Sequence, residues 1–325
     1  MCRPESMTVK RNTILVAAIL VVIVMTATSA GLYAFRGQGS TTIPCSTTGQ
    51  SLSGKVQVVA AENFWGSLVS QLGGTHVNVL SIVSDSNADP HEYGSDSADA
   101  IAIANANFVI VNGAGYDDWA LQLIAASNTP NQAVLNVQEL INQSVTANPH
   151  FWYSPYYVND TVKTMYKDLV CIDPTDTAYY KQQYVTLNAS LGVYNARIGE
   201  IKQQFGGTHV ASTESIFVYL ANATGLDLVS PPLFMEAVSE GNDPPVQSVV
   251  QFQQELQNGS VKMLVYNEQT VTQLTQSIKT LAAQNNVPSV GVTETIQPPD
   301  VTFQVWMNAE LITIQNTLNA QALGQ

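Results

Sequence analysis

The sequence predicts an α/β protein with two Rossmann-like lobes, each built on a parallel sheet, joined by a single long helix. Short apolar runs alternate with stretches of helical spacing from residue 54 onwards, which is typical of parallel sheets with crossover helices. A central stretch has helical spacing alone. We therefore predict an N-terminal α/β lobe at 54–172, a linking helix at 173–205 and a C-terminal α/β lobe at 206–325.

The first lobe begins with an apolar run at 56–61, which predicts a buried strand. Residues 65–72 have helical spacing that ends at a glycine pair, a common helix stop. Residues 76–83 alternate like a strand. Farther along, the pattern predicts helices at 97–106 and 118–126 and a buried strand at 108–111.

In the linking segment, apolar and aromatic residues recur at helical spacing, Pro174 suits a helix start, and Gly206-Gly207 suits its end. The second lobe then resumes the alternation of the first. It is predicted to contain strands near Val210 and at 263–266 and 289–292, and helices at 217–223, 246–256, 272–284 and 303–318.

The N-terminus has the pattern of a membrane-targeting segment. Basic residues precede a largely apolar run at 14–35, which predicts that the N-terminus stays in the cytoplasm and the body lies outside. We predict a signal peptide or membrane anchor at 1–35, followed by a flexible tether at 36–53. Cleavage and anchoring remain alternatives. The body is expected at the extracellular face of the cell membrane or in the periplasm.

The charge content restricts the function. Only 11% of residues are charged and the net charge is −13, so the basic patches that bind nucleic acid are not expected. The low charge content fits an acidic habitat or glycosylation, and the sequence leaves both open. The chain contains five Asn-X-Ser/Thr sequons, which are potential glycan acceptors: Asn142, Asn159, Asn188, Asn222 and Asn258.

Three cysteines do not form a disulfide framework. Cys2 precedes the apolar run, whereas Cys45 and Cys171 lie in the predicted exported part. A Cys45–Cys171 bridge is one alternative outside the cell. Buried or unpaired thiols are the alternative that we favour from the sequence.

Four short segments carry potential metal ligands. His91 lies in Asp-Pro-His-Glu-Tyr, His150 in Asn-Pro-His-Phe-Trp, and Glu214 precedes Ser-Ile-Phe-Val-Tyr, while Glu294 follows the predicted strand 289–292. Side chains at the carboxyl ends of parallel strands converge, and two imidazoles with two carboxylates can enclose a divalent transition metal. Each residue alone also has an ordinary explanation, as a turn histidine or a solvated acid, and the spacing by itself is a weak signal.

Taken together, these segments resemble the metal-binding solute receptors of ABC importers for zinc and manganese, over roughly residues 54–320. The resemblance implies that His91, His150, Glu214 and Glu294 bind Zn²⁺ or Mn²⁺ in the cleft between the lobes. It also implies limited hinge motion across the long helix, and a membrane permease as partner. We expect a monomer.

The chain departs from that family in three respects. Glu294 replaces the usual aspartate, so its denticity is in question. The histidine-rich loop of some zinc-dedicated members and the lipobox cysteine are both missing. The choice between zinc and manganese therefore stays open.

Two other functions are compatible with a metal site. One is an extracellular zinc-dependent hydrolase in which one glutamate acts as general base, but four protein ligands would remove the open position it needs. The other is an adhesin in which the metal is structural. We predict a receptor and not an enzyme, with metal affinity falling as the pH drops toward and below about 6.5 because the histidines must bind as neutral rings.

Overall fold

The computed structural model describes residues 54–85 and 90–323. The predicted targeting segment at 1–35 and the tether at 36–53 therefore lie outside the described residues, as does Asp89 beside the His91 turn. Among the residues that are described, no helix is both long enough and apolar enough to cross a membrane.

The first lobe contains a four-stranded parallel sheet in the order β2-β1-β3-β4. Its strands are buried at the centre, where Phe108–Val111 is apolar throughout, as expected for a sheet covered on both faces. The elements are β1 (Val56–Glu62), α1 (Asn63–Gly73), β2 (Val77–Val83), α2 (Ser97–Asn105), β3 (Phe108–Val111), α3 (Asp118–Ser127), β4 (Ala133–Asn136) and α4 (Val137–Leu140).

The last helix of the first lobe leads into the single helix that links the lobes. Helix α5 (Pro155–Ile172) begins at a Ser154 cap, and α6 (Thr177–Phe205) is the 29-residue linking helix. The predicted start of the linking helix at 173 was early by four residues, because a 3-10 turn at Pro174–Asp176 precedes α6. Helix α6 packs against α1 and α5 of the first lobe.

The second lobe repeats the arrangement of the first, with four parallel strands in the order β6-β5-β7-β8. The predicted fold of two parallel-sheet lobes joined by a long helix is confirmed. The elements are β5 (His209–Ser212), α7 (Val218–Thr224), β6 (Asp227–Leu228), α8 (Pro232–Ser239), α9 (Val246–Gln257), β7 (Leu264–Asn267), α10 (Gln273–Gln284), β8 (Ser289–Val292) and α11 (Phe303–Leu323).

The largest hydrophobic core contains residues from both lobes and from the connecting helices. At its centre, Phe64 stacks on Trp152 with ring centroids 4.0 Å apart. Two smaller clusters of buried residues fill the outer layers of the individual lobes. Because the main core is shared, the lobes are held against each other by buried apolar surface as well as by the chain connections.

Cys171, near the end of α5, is disulfide-bonded. The preference for unpaired thiols was therefore wrong for this residue. The other two cysteines, Cys2 and Cys45, lie outside the described residues. No local pattern could decide this pairing, since it depends on where a segment distant in sequence runs.

Candidate metal centre

His150 is fully buried and held in one orientation. Asn148 Nδ2 donates to the carbonyl of Ser215 at 2.7 Å, so Asn148 Oδ1 is the acceptor that faces His150 Nδ1 at 2.7 Å. His150 Nδ1 must then carry the proton, and Nε2 carries the lone pair. Nε2 is buried without a hydrogen-bond partner among the described residues. A fixed, buried imidazole lone pair of this kind suits a metal ligand.

The charge state of His150 also suits metal binding. Burial lowers the pKa of His150 well below its ordinary value, and the neighbouring His91 lowers it further. The aromatic surroundings account for the burial, since the Trp152 ring centroid lies 5.2 Å from that of His150. The ring is therefore neutral at neutral pH, as a ligand must be.

His91 also belongs to the first lobe and lies on a 3-10 turn at Pro90–Glu92. Its ring centroid lies 5.7 Å from that of His150. The turn is attached to α2, because the Tyr93 hydroxyl donates to the Asp99 carboxylate at 2.8 Å. His91 Nε2 points across the cleft and lies 3.5 Å from Glu294 Oε2.

The two glutamates come from the second lobe, and both are fully buried. Glu214 follows β5 and Glu294 follows β8. Between them stands Asn267, whose Nδ2 donates to Glu214 Oε1 at 2.8 Å and to Glu294 Oε1 at 2.5 Å. One amide thus joins the carboxylates of two different loops.

The structure brings three of the four predicted ligands into one cluster. Ligand atoms of His91, His150 and Glu294 all lie within 4.8 Å of one another. Glu214 is not part of this cluster by that distance, but it shares the Asn267 amide with Glu294. The set offers two imidazole nitrogens and two carboxylates at the meeting point of the lobes, a combination suited to zinc or manganese.

Tyr116 extends from the first lobe into the centre. Its hydroxyl donates to Glu294 Oε2 at 2.6 Å. The loop that carries Tyr116 is fixed by the buried Asp117 carboxylate, which accepts from the backbone N–H groups of Asn112 and Gly113. Burial raises the pKa of Asp117 to about 6, and its hydrogen bonds to those backbone groups oppose the shift.

A second buried carboxyl supports the Glu294 loop from behind. Glu310 on α11 accepts from the Thr293 backbone N–H at 3.0 Å and from the Tyr153 hydroxyl at 2.8 Å. The same hydroxyl lies 2.9 Å from the Thr293 carbonyl. Burial raises the pKa of Glu310 to about 8. Residues of both lobes therefore restrain the strand end that precedes Glu294.

The remaining two histidines, His76 and His209, lie outside this cluster. His209 pairs with Asp227 at 3.1 Å in an exposed position. His76 forms an ion pair with Asp176 in a second cluster that includes Asp173. Both oxygens of Asp173 already accept hydrogen bonds from the hydroxyls of Thr175 and Tyr180, so this cluster ties the start of β2 to the junction of α5 and α6.

Sequence reasoning missed Tyr116, Asn267 and the orienting role of Asn148. Tyr116 and Asn267 both stand at or just after the carboxyl end of a strand, which is the signal that could have found them. Asn148 precedes the predicted ligand by two residues, and its role depends on a contact with the other lobe at Ser215.

A family model described as the periplasmic zinc-uptake complex component A, ZnuA, matches residues 58–317. The manganese-binding lipoprotein MntA of Halalkalibacterium halodurans is 29% identical over 139 residues, which are 41% of this chain and 45% of that relative. The manganese ABC transporter substrate-binding lipoprotein PsaA of Streptococcus anginosus is 22% identical over 260 residues, which are 74% of this chain and 79% of that one.

Solved structures agree on the fold. The periplasmic zinc-binding protein TroA from Treponema pallidum superposes with a TM-score of 0.70 at 16% identity, covering 82% of this chain and 99% of that chain. A crystal structure of ZnuA superposes with a TM-score of 0.66 at 21% identity, again covering 82% and 99%. At these identities the likeness establishes the two-lobed fold alone.

Proposed function

Because the chain belongs to the ZnuA family of zinc-uptake components, we propose that it is an extracytoplasmic receptor that captures Zn²⁺ or Mn²⁺ and delivers the ion to an ABC-type permease. His91 and His150 donate through neutral imidazole nitrogens, and Glu214 and Glu294 donate carboxylate oxygens that balance the charge of the ion. The family is one of transport receptors and not of enzymes. The receptor acts as a monomer on the outer side of the membrane.

The observation that carries this proposal is the orientation of His150. Its Nδ1–H is held by Asn148, and its buried Nε2 faces the cluster formed with His91 and Glu294. A buried polar atom without a partner costs about 1–3 kcal/mol, and a bound cation would recover this cost. The four ligands would surround the ion, which leaves no open coordination position for a hydrolase.

The test is metal binding by chelator-treated protein and by the His150→Ala variant. Wild type should bind one equivalent of Zn²⁺ or Mn²⁺ and remain folded after chelation, as judged by circular dichroism. His150→Ala should bind on the order of 100-fold more weakly, since loss of even an outer partner of a ligand costs about 10–100-fold.

A matched control is His209→Ala, which removes an exposed histidine paired with Asp227 and should leave affinity unchanged. Equal affinity of His150→Ala and wild type would contradict the ligand assignment. Unfolding of the wild type on chelation would instead favour a structural metal, as in the adhesin alternative.

A further inference from the structure

Asn267 occupies a special place in the second sheet. It is the last residue of β7, and β7 lies between β5 and β8 in the strand order. The two glutamates follow those two neighbouring strands. The side chain of Asn267, only 2% exposed, is therefore placed between the two carboxylates by the topology of the sheet.

The orientation of the Asn267 amide is determined by its contacts. Its Oδ1 accepts from the backbone N–H of Gln269 at 2.9 Å, so the other end of the amide is the NH₂ group. That nitrogen donates to Oε1 of Glu214 and to Oε1 of Glu294. The Thr270 hydroxyl lies 2.9 Å from the same nitrogen. The amide thus holds one oxygen of each glutamate.

The other oxygen of Glu294 faces the histidines. Oε2 lies 3.5 Å from His91 Nε2 and accepts from the Tyr116 hydroxyl. With Oε1 held by Asn267, the carboxylate presents this single oxygen to an ion beside the imidazoles. The same amide also holds Oε1 of Glu214. We therefore expect Glu214, like Glu294, to coordinate an ion through one oxygen.

We propose that Asn267 makes the centre selective for Zn²⁺ over Mn²⁺ by restricting each glutamate to one coordinating oxygen. Two imidazole nitrogens and two single oxygens give four ligands, the tetrahedral number that zinc adopts. Manganese is better served by octahedral, oxygen-rich sites, which bidentate glutamates would approach. This inference rests on the proposed function and names the ion that the receptor carries.

The test compares Zn²⁺ alone and Mn²⁺ alone in separate competition titrations of wild type, Asn267→Ala and Asn267→Asp. Asn267→Ala removes the amide, whereas Asn267→Asp keeps an oxygen for the Gln269 N–H but cannot donate to the glutamates. In both variants the ratio of the Mn²⁺ Kd to the Zn²⁺ Kd should fall by about tenfold or more, because the glutamates lose the charge-assisted hydrogen bonds that hold one oxygen of each.

A matched control is Tyr266→Phe, which removes the hydroxyl of the residue before Asn267 in β7, where it lies 3.3 Å from Glu268, and leaves both glutamate contacts of Asn267 in place. Its ratio should equal that of wild type. A purely structural role for Asn267 would weaken the binding of both ions in parallel, so an unchanged ratio in both Asn267 variants would overturn the inference.

X-ray absorption at the zinc edge of the wild-type complex gives a second readout that needs no variant. We expect four nitrogen or oxygen neighbours at about 2.0 Å; five or more would overturn the proposed restriction. If wild type binds neither ion, the proposed function itself fails. If it binds with an unchanged ratio in the variants, only the role of Asn267 fails.

Discussion

The hydroxyl of Tyr116 in the first lobe lies 2.6 Å from Oε2 of Glu294 in the second lobe. A ligand contributed by one lobe is therefore oriented by a residue of the other. The Ile296 backbone N–H likewise donates to the Asn63 side chain at 3.1 Å, and the Tyr219 hydroxyl donates to the Asn148 carbonyl at 2.9 Å. Hydrogen bonds between the two lobes thus lie both at a candidate ligand and at neighbouring positions along the cleft.

The first prediction concerns Tyr116→Phe. The variant loses the hydroxyl that holds Glu294, and we expect about tenfold weaker Zn²⁺ binding, since a hydrogen bond to a charged group contributes about 1.5 kcal/mol or more. Isothermal titration measures the change. Tyr266→Phe is the control, because that hydroxyl lies in an exposed position 3.3 Å from Glu268. Equal losses in both variants would show that the contact with Glu294 is not responsible.

The second prediction concerns the protonation of His150. Burial lowers its pKa, so the ring should stay neutral in the range where an ordinary histidine, with a pKa of about 6.5, becomes charged. The loss of metal affinity on acidification should then owe little to His150 above about pH 6. An NMR titration of the imidazole in chelator-treated protein checks this. A midpoint at or above 6.5 would contradict the expectation.

The third prediction concerns stability and Glu310, whose pKa is raised to about 8 by burial from an ordinary value of 4.5. Between these values the unfolded carboxyl is ionised while the folded one keeps its proton. The protonated Glu310 therefore makes its full contribution to the free energy of unfolding below about pH 4.5. That contribution is lost as the pH rises through about 8. The total change is on the order of 5 kcal/mol, since one pKa unit corresponds to about 1.4 kcal/mol.

Denaturant unfolding at several pH values measures this loss. Glu310→Gln keeps the shape of the side chain but cannot ionise, so its free energy of unfolding should vary less between pH 5 and pH 9 than that of wild type. Identical pH profiles would mean that Glu310 is ionised in the folded protein. Asp117, with a pKa raised from 3.8 to about 6, contributes a smaller loss at lower pH in both proteins.

The fourth prediction uses two glycines. A Cβ on Gly66 in α1 would lie 2.0 Å from the Ser81 hydroxyl oxygen of β2, so Gly66→Ala should destabilise the protein by about 1–3 kcal/mol. Gly192 lies within α6 with open space around the position of a Cβ. Gly192→Ala should instead stabilise by about 0.5–1 kcal/mol, because alanine favours the helix. Thermal unfolding of both variants gives the sign of each change in stability. The prediction fails if both variants are stabilised or both are destabilised.

Local sequence patterns predicted most of the helices and strands to within two residues. Buried strands such as Phe108–Val111 have continuous apolar runs bounded by polar residues, and glycine pairs mark helix ends. Helix α5 was missed, although Ser154 caps it, Pro155 occupies its first turn and its buried residues follow helical spacing. Strands β4 and β6 and helices α4 and α8 were missed as well, since each of them is short.

The four candidate ligands could be named from their segments, but their geometry could not. The contact of Asn267 with two carboxylates depends on the order of strands in the sheet, and that of Tyr116 with Glu294 depends on how the lobes meet. These are long-range relationships, and no local pattern encodes them. The disulfide of Cys171 belongs to the same class.

Helix α6 packs against α1 and α5 of one lobe and against α7 and α11 beyond it, so it acts as a strut of fixed length. Hydrogen bonds between protein groups hold the cleft on the opposite side. We therefore expect loading and unloading to proceed by displacement of a few side chains at the edge, and not by a wide swing of the lobes. A permease that takes the ion would have to break individual contacts such as the hydrogen bond between Tyr116 and Glu294. The rate at which the ion is released would then depend on the permease as well as on the receptor.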